Sequence, residues 1–363
     1  MRTHAHSPYM QWAKLHSVAR YNLASSGVAS YPLAKLGIAE GQLEINGPNS
    51  YGYAPLVDAI AQRFLVPREC VFTTAGTAMA NHMALAATTE PGDEILVEQP
   101  TYELLLSAAK YLGLKIHRFQ RSPAAKFQPD LDDLKRNLTS NTKLIVLTNL
   151  HNPSGVLMTN EVVKQIGELA GEVGARVVVD EVYLEMLYDA RPPSAFRIDP
   201  DRFIVTSSLT KAYGLSGLRC GWVFAAKETV DRMWAVNDLY SATPVFPGEQ
   251  LSVVAFQNLD RIGQEIKQML DANRKLLTDL YSSRRDLEVV QPEHGTVSFP
   301  RLLKGSSERL LEVLHKEFET SVVPGSFFES PQHFRVGIGG ETADVRAALQ
   351  QLGSGLDRFA TDK

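Results

Sequence analysis

Four short runs in the middle of the chain are almost continuously apolar and rich in β-branched residues: 94–97, 143–149 (KLIVLTN), 176–180 (RVVVD) and 202–207 (RFIVTS). A strand with one face in water alternates apolar and polar side chains, so runs without alternation belong to strands buried on both faces. Residues 70–73 open the series, followed by a helix of small residues over 77–87, and helical stretches separate the later runs. Strands alternating with helices predict an α/β fold: a three-layer α/β/α large domain around a mostly parallel sheet. Groups that do chemistry are then expected just past the carboxyl ends of the strands.

The texture changes after about residue 242. Ile262, Ile266, Met269, Leu270, Leu277 and Leu280 fall on one face of a long amphipathic helix. Short strands are expected near 296–299 and 333–338, with a helix over 309–318, which makes a smaller α+β domain. The expected division is an N-terminal arm over 1–45, a large domain over 46–245 and a small domain over 246–363. At 363 residues, 44% hydrophobic and 21% charged, the chain has ordinary globular composition. Its net charge of −4 offers no basic excess for nucleic acid or an anionic membrane. The two cysteines, Cys70 and Cys220, give neither a metal-ligand spacing nor a disulfide framework, which fits the cytoplasm. The amino-terminal segment MRTHAHSPYMQWAK lacks the apolar core of a signal peptide, and no apolar run is long enough to cross a bilayer.

Four features each follow a predicted strand. Ala75-Gly76-Thr77 offers free backbone N–H groups at a helix start, a phosphate seat or an ordinary strand-to-helix turn. In His151-Asn152-Pro153-Ser154-Gly155, the turn aims Asn152 either at a ligand or at its own backbone. Asp180, in Asp180-Glu181-Val182-Tyr183, ends a very apolar strand; it needs a buried partner, or it caps a helix. The fourth is Ser207 to Trp222, SSLTKAYGLSGLRCGW. Lys211 closely follows a buried strand, where burying its charge is costly and a lowered pKa makes it a nucleophile for carbonyls. Ser208 precedes it by three positions and Arg219 follows by eight. A hydroxyl and a guanidinium around that lysine suit a phosphate anchored beside it.

With TAGTAMA, EQPTYE, HNPSG, DEVY, SSLTKAYGLSGLRCGW and FRVGIG in this order, the chain resembles the class I/II aminotransferases of pyridoxal-5′-phosphate (PLP) fold type I, over nearly its whole length. The resemblance implies that Lys211 carries PLP as a Schiff base and moves the substrate proton. It implies that Asp180 pairs with the pyridine nitrogen, that Asn152 and Tyr183 bond the ring's phenolic oxygen, and that Tyr102 stacks on the ring. Gly76, Thr77, Ser208 and Arg219 would hold the phosphate, and Arg335 the substrate α-carboxylate. It also implies a homodimer acting on an amino acid and a 2-oxo acid.

Some positions depart from the family. Ala75 stands where a hydroxyl residue is common. Tyr51 is the nearest counterpart of the tyrosine that many members lend to the neighbouring subunit, but its spacing differs. No arginine is placed to read a side-chain carboxylate. The segment YNLASSGV over 21–28 is similar to capreomycidine synthase and related short enzymes. There Ser26 and Gly27 are either substrate contacts or a simple turn.

The leading expectation is an aminotransferase. A PLP-dependent cyclase, lyase, decarboxylase or oxidase is the alternative on the same scaffold. A PLP-sensing transcription regulator would need a DNA-binding domain, and the residues before Gly27 are too few and carry no basic recognition helix.

Overall fold

The structure is a computed structural model. It describes residues 6–38, 41, 43–189 and 193–361, so the first five residues of the expected arm, along with 39, 40 and 42, lie outside the described residues. The central sheet has seven strands: β1 (Val71–Ala75), β2 (Glu94–Gln99), β3 (Lys115–Gln120), β4 (Thr142–Thr148), β5 (Arg176–Asp180), β6 (Phe203–Ser208) and β7 (Cys220–Phe224). Their spatial order is β1-β7-β6-β5-β4-β2-β3. Neighbours from β6 to β3 pair in parallel, whereas β7 runs antiparallel to both β6 and β1.

The apolar runs are explained by two cores on opposite faces of this sheet. Ile145, Leu147, Val177 and Val179 pack into one core, while Leu144, Val146 and Val178 pack into the other. Successive strand residues point to opposite faces, so both sets must be apolar when helices cover both sides. The Thr77–Ala86 helix packs over β1, β6 and β7 on one face.

A third core lies farther along the chain. The 24-residue helix Leu259–Ser282 lends Ile262, Ile266 and Leu270 to a core of the central sheet, and Leu277 and Tyr281 to this third core. One continuous helix thus enters two cores, so the two parts of the chain share a rigid element. The strand Phe334–Gly337 pairs with Val297–Ser298 and Val323–Pro324, and helices Ser307–Phe318 and Thr342–Thr361 pack together beside it. The N-terminal segment joins this part of the molecule: Tyr21–Asn22 pairs with Thr320–Ser321. Its helix α1 (Pro8–Leu15) is capped by the Ser7 hydroxyl. Among the described residues no helix is long and apolar enough to cross a membrane. No described cluster could hold a metal ion.

Candidate active site

One edge of the sheet collects the predicted residues. β1 ends at Ala75, and Gly76, at φ +83°, caps the Thr77–Ala86 helix. That backbone conformation suits glycine, and it leaves the first N–H groups of the helix free. Because β7 is antiparallel, its beginning lies at the same edge, so Arg219 just before it meets Gly76. Arg219 itself adopts φ +51°. Its Nη2 donates to the Ala75 carbonyl at 2.8 Å and its Nη1 to Ser216 at 3.2 Å. A Cβ on Gly76 would stand 2.3 Å from Arg219 Nη2, and one on Gly221 would stand 2.5 Å from the Gly76 backbone. Any side chain would fill this cradle. Ser208 closes it, accepting from Thr77 Oγ1 at 2.7 Å and from the Thr210 N–H at 3.2 Å. A helix N-terminus, two hydroxyls and a guanidinium make a seat for a phosphate-like anion.

Beside the seat is a cavity of about 160 Å³, lined by residues that include Thr77, Asn81, Tyr102, Asn152, Asp180, Tyr183 and Lys211. Register places Thr148, Asp180 and Thr206 abreast on β4, β5 and β6. Asp180 is buried, and its oxygens accept from Asn81 Nδ2 at 2.8 Å and from the Val182 N–H at 3.0 Å. Thr206 in turn donates to Asn81 Oδ1 at 2.6 Å, which fixes the asparagine amide. Burial pushes the Asp180 carboxyl up to about 6, against those hydrogen bonds. A buried carboxylate at the cavity floor is a site for a cationic partner. Asn81 was missed in the sequence reading; its signal is the four-residue spacing from Thr77, which puts both on one helix face.

Lys211 Nζ donates to Ser26 Oγ at 3.1 Å. Burial lowers its pKa, and Arg335 and Arg219 add to that effect. Gly27 lies against the lysine stem: a Cβ there would be 3.3 Å from Lys211 Cδ. The Val28 N–H donates to the Lys211 carbonyl at 3.1 Å. Tyr183 is buried, bonds Ser26, and has its phenol pushed up to about 12, chiefly by burial. Tyr102 borders the same cavity and meets Tyr9 edge-on at 5.6 Å.

Asn152 and Arg335 are brought together, with Arg335 Nη1 donating to Asn152 Oδ1 at 3.0 Å. Arg335 is fully buried, while Phe334 and Val336 face the third core. Strand alternation therefore sends the arginine toward the site. A buried chain of contacts sits behind Asn152. The Asn152 N–H donates to Thr148 Oγ1 at 2.9 Å, and Thr148 Oγ1 donates to Glu98 at 2.7 Å. Glu98 pairs with Arg121 at 2.7 Å, both side chains being fully buried. His151, also buried, holds the same loop through Ser154 and the Pro100 carbonyl. Sequence reading missed Thr148, Glu98, Arg121 and Tyr9. Tyr51 does not border the cavity of its own chain; it is exposed, meets Trp234 edge-on at 5.5 Å and reaches Asp238 at 3.4 Å.

Comparison with known proteins identifies the family. The profile of the family "Aminotransferase class I and II" matches residues 28–352. Capreomycidine synthase of Streptomyces vinaceus is 28% identical, over 98% of this chain and 94% of that protein. Aspartate/prephenate aminotransferase of Thermus thermophilus is 26% identical, over 90% and 86%. A PLP-dependent aminotransferase from Streptococcus suis superposes with a TM-score of 0.90 at 25% identity, covering 98% of each chain. The PLP-dependent cyclase OrfR has a like fold, with a TM-score of 0.87 at 24% identity over 99% and 98%. The chain thus belongs to the class I and II aminotransferase family and is a PLP-dependent enzyme of fold type I.

Proposed function

We propose that the protein moves the amino group of an amino acid to a 2-oxo acid, with Lys211 as covalent anchor and proton carrier. The observation that carries this reading is the juxtaposition, around one cavity, of a lysine with lowered pKa, a buried carboxylate and the Asn152–Arg335 pair. The cradle at Gly76, Thr77, Ser208 and Arg219 fits a phosphate, and Asp180 fits a protonated ring nitrogen. When bound, PLP supplies an electron sink for charge developing at the substrate Cα. Lys211 Nζ takes the Cα proton and returns it. The burial that lowers its pKa favours the uncharged amine, the form that accepts a proton. Asn152 and Tyr183 would hydrogen bond the ring's phenolic oxygen, and Tyr102, on the cavity wall, would cover the ring face. Arg335 holds the α-carboxylate, Asn152 lies beside it, and Gly27 keeps the wall at Lys211 thin enough for the substrate to pass.

A second reading is favoured by the whole-length relative named a synthase: a PLP-dependent cyclase built on the same constellation. Amino acids carrying a heavy-nitrogen label decide between them. Aminotransfer places the label on an added 2-oxo acid. Cyclisation leaves the label in a ring product whose formation needs no 2-oxo acid.

The enzyme is further proposed to act as a cytoplasmic homodimer. Segments 43–51 and 238–250 lie together, joined by Glu44 to Gln250 and Asn49 to Pro244. They expose Ile45, Tyr51, Leu239, Tyr240 and Val245. Tyr240 meets His82 of the Thr77–Ala86 helix edge-on at 5.8 Å, so a partner docked here would adjoin the cofactor seat.

A further inference from the structure

We propose that Tyr9, on α1, is a substrate-binding residue that donates its phenolic hydrogen to the same carboxylate Arg335 holds; the inference rests on the carboxylate reading of Arg335. Tyr9 is buried, 6% exposed, and its hydroxyl oxygen accepts from Arg335 Nη2 at 2.8 Å. An oxygen that accepts there keeps its own hydrogen to give away. No acceptor for that hydrogen occurs among the described residues.

A neighbour has the same shortage. Arg335 Nε is buried without a partner. Asn152 spends its carbonyl oxygen on Arg335 and lines the same cavity as Lys211. Buried donors are normally satisfied, and Arg335 Nε together with the Tyr9 hydroxyl hydrogen points to a missing acceptor-only ligand. A carboxylate is such a group: it accepts several hydrogen bonds and neutralises the guanidinium. The positive surroundings agree, because Arg335 and Lys211 pull the Tyr9 phenol below its usual range although burial raises it.

The position of Tyr9 is fixed by packing. Its ring meets Tyr102, Phe327 and Phe328 at 5.6, 5.7 and 6.1 Å, and it lies 5.6 Å from the Arg335 guanidinium. Ser7, which caps α1, hydrogen bonds Glu103, the first residue of the next helix beyond Tyr102. The phenol is therefore held in place before any ligand arrives, and the aromatic wall around it is suited to an apolar substrate side chain.

The test is calorimetric titration of the PLP-loaded enzyme with hydrocinnamate and with its neutral amide, hydrocinnamamide. Wild type, Tyr9→Phe and Arg335→Lys are compared. Phenylalanine keeps the ring contacts and removes only the hydroxyl, and an unchanged melting temperature checks the fold. The expected result is that Tyr9→Phe weakens hydrocinnamate about ten-fold or more, as losing a hydrogen bond to a charged group implies, and leaves the amide within about two-fold. If Arg335→Lys weakens the acid selectively but Tyr9→Phe shifts both ligands equally, shifts neither, or tightens the acid, the proposal for Tyr9 is overturned. If wild type does not prefer the acid, or Arg335→Lys shows no selectivity, the carboxylate reading of Arg335 falls and takes this one with it.

Discussion

Arg335 and Asn152 stand 183 positions apart in the chain, yet Nη1 of one reaches Oδ1 of the other at 3.0 Å. The contact joins the strand Phe334–Gly337 to the loop after β4, so the proposed carboxylate site is shared between two sheets. Arg335→Lys keeps a charge but loses the planar fork. We expect kcat/KM for an accepted amino acid to fall by a factor equivalent to about 2–5 kcal/mol, with PLP binding intact. The decarboxylated amine of that amino acid is expected to change little. Equal losses for both compounds would remove Arg335 from this role.

Lys211 is expected to be the point of covalent attachment. The purified enzyme should be yellow, and Lys211→Ala should lose that absorbance. Borohydride reduction followed by peptide mapping should place the label on the peptide containing Lys211. A label on another lysine contradicts the assignment.

Asp180 carries a stability cost that can be measured. Its carboxyl, ordinarily near 3.8, is pushed up to about 6 by burial. The folded chain therefore binds this proton more tightly than the unfolded chain. Stability of the PLP-free protein falls as pH rises through that window and stays lower above it. About two units correspond to roughly 3 kcal/mol. Asp180→Asn removes the cost, because Asn81 can turn its amide over and Thr206 can rotate its hydroxyl to match. The PLP-free variant should melt higher than wild type at about pH 8, by an amount that shrinks as pH falls toward about 4. Turnover should be nearly abolished, since the ring nitrogen loses its anionic partner. A variant that melts lower at the higher pH, or that stays active, refutes this account.

The exposed group at Leu239, Tyr240 and Val245 predicts self-association. Leu239 is 81% exposed and Val245 75%, an unusual cost for large apolar side chains. Sedimentation should show a dimer for wild type and a monomer of reduced activity for Leu239→Asp combined with Tyr240→Asp. A fully active wild-type monomer at assay concentration would refute the dimer.

The parts of the site visible in the sequence are those written contiguously at strand ends. Gly76-Thr77, Asn152, Asp180 and the stretch from Ser208 to Arg219 each follow a strand, so topology alone gathers them at one edge. The antiparallel direction of β7 was not visible, because CGWV reads as a short apolar run in either direction. Tyr9 could not be found at all. It meets Arg335 across 326 positions, and nothing local in PYMQWAKL distinguishes a ligand-facing tyrosine from a packed one. Glu98 and Arg121 were equally hidden: a charged residue in a strand, or just past one, reads as solvated until its partner is known.

The Thr77–Ala86 helix has a consequence for engineering. Thr77, in the proposed phosphate seat, bonds Ser208, and Asn81, four positions away on the same face, bonds Asp180. At 1.5 Å per residue the helix sets these two ends about 6 Å apart along its axis. Under the proposed roles it would be a rigid gauge for the distance from a bound phosphate to a bound ring nitrogen. One residue inserted between Thr77 and Asn81 would swing the asparagine by about 100° and cut Asp180 from its support. Loops around this cavity can be exchanged to seek new substrates, but the register of this one helix has to be left alone.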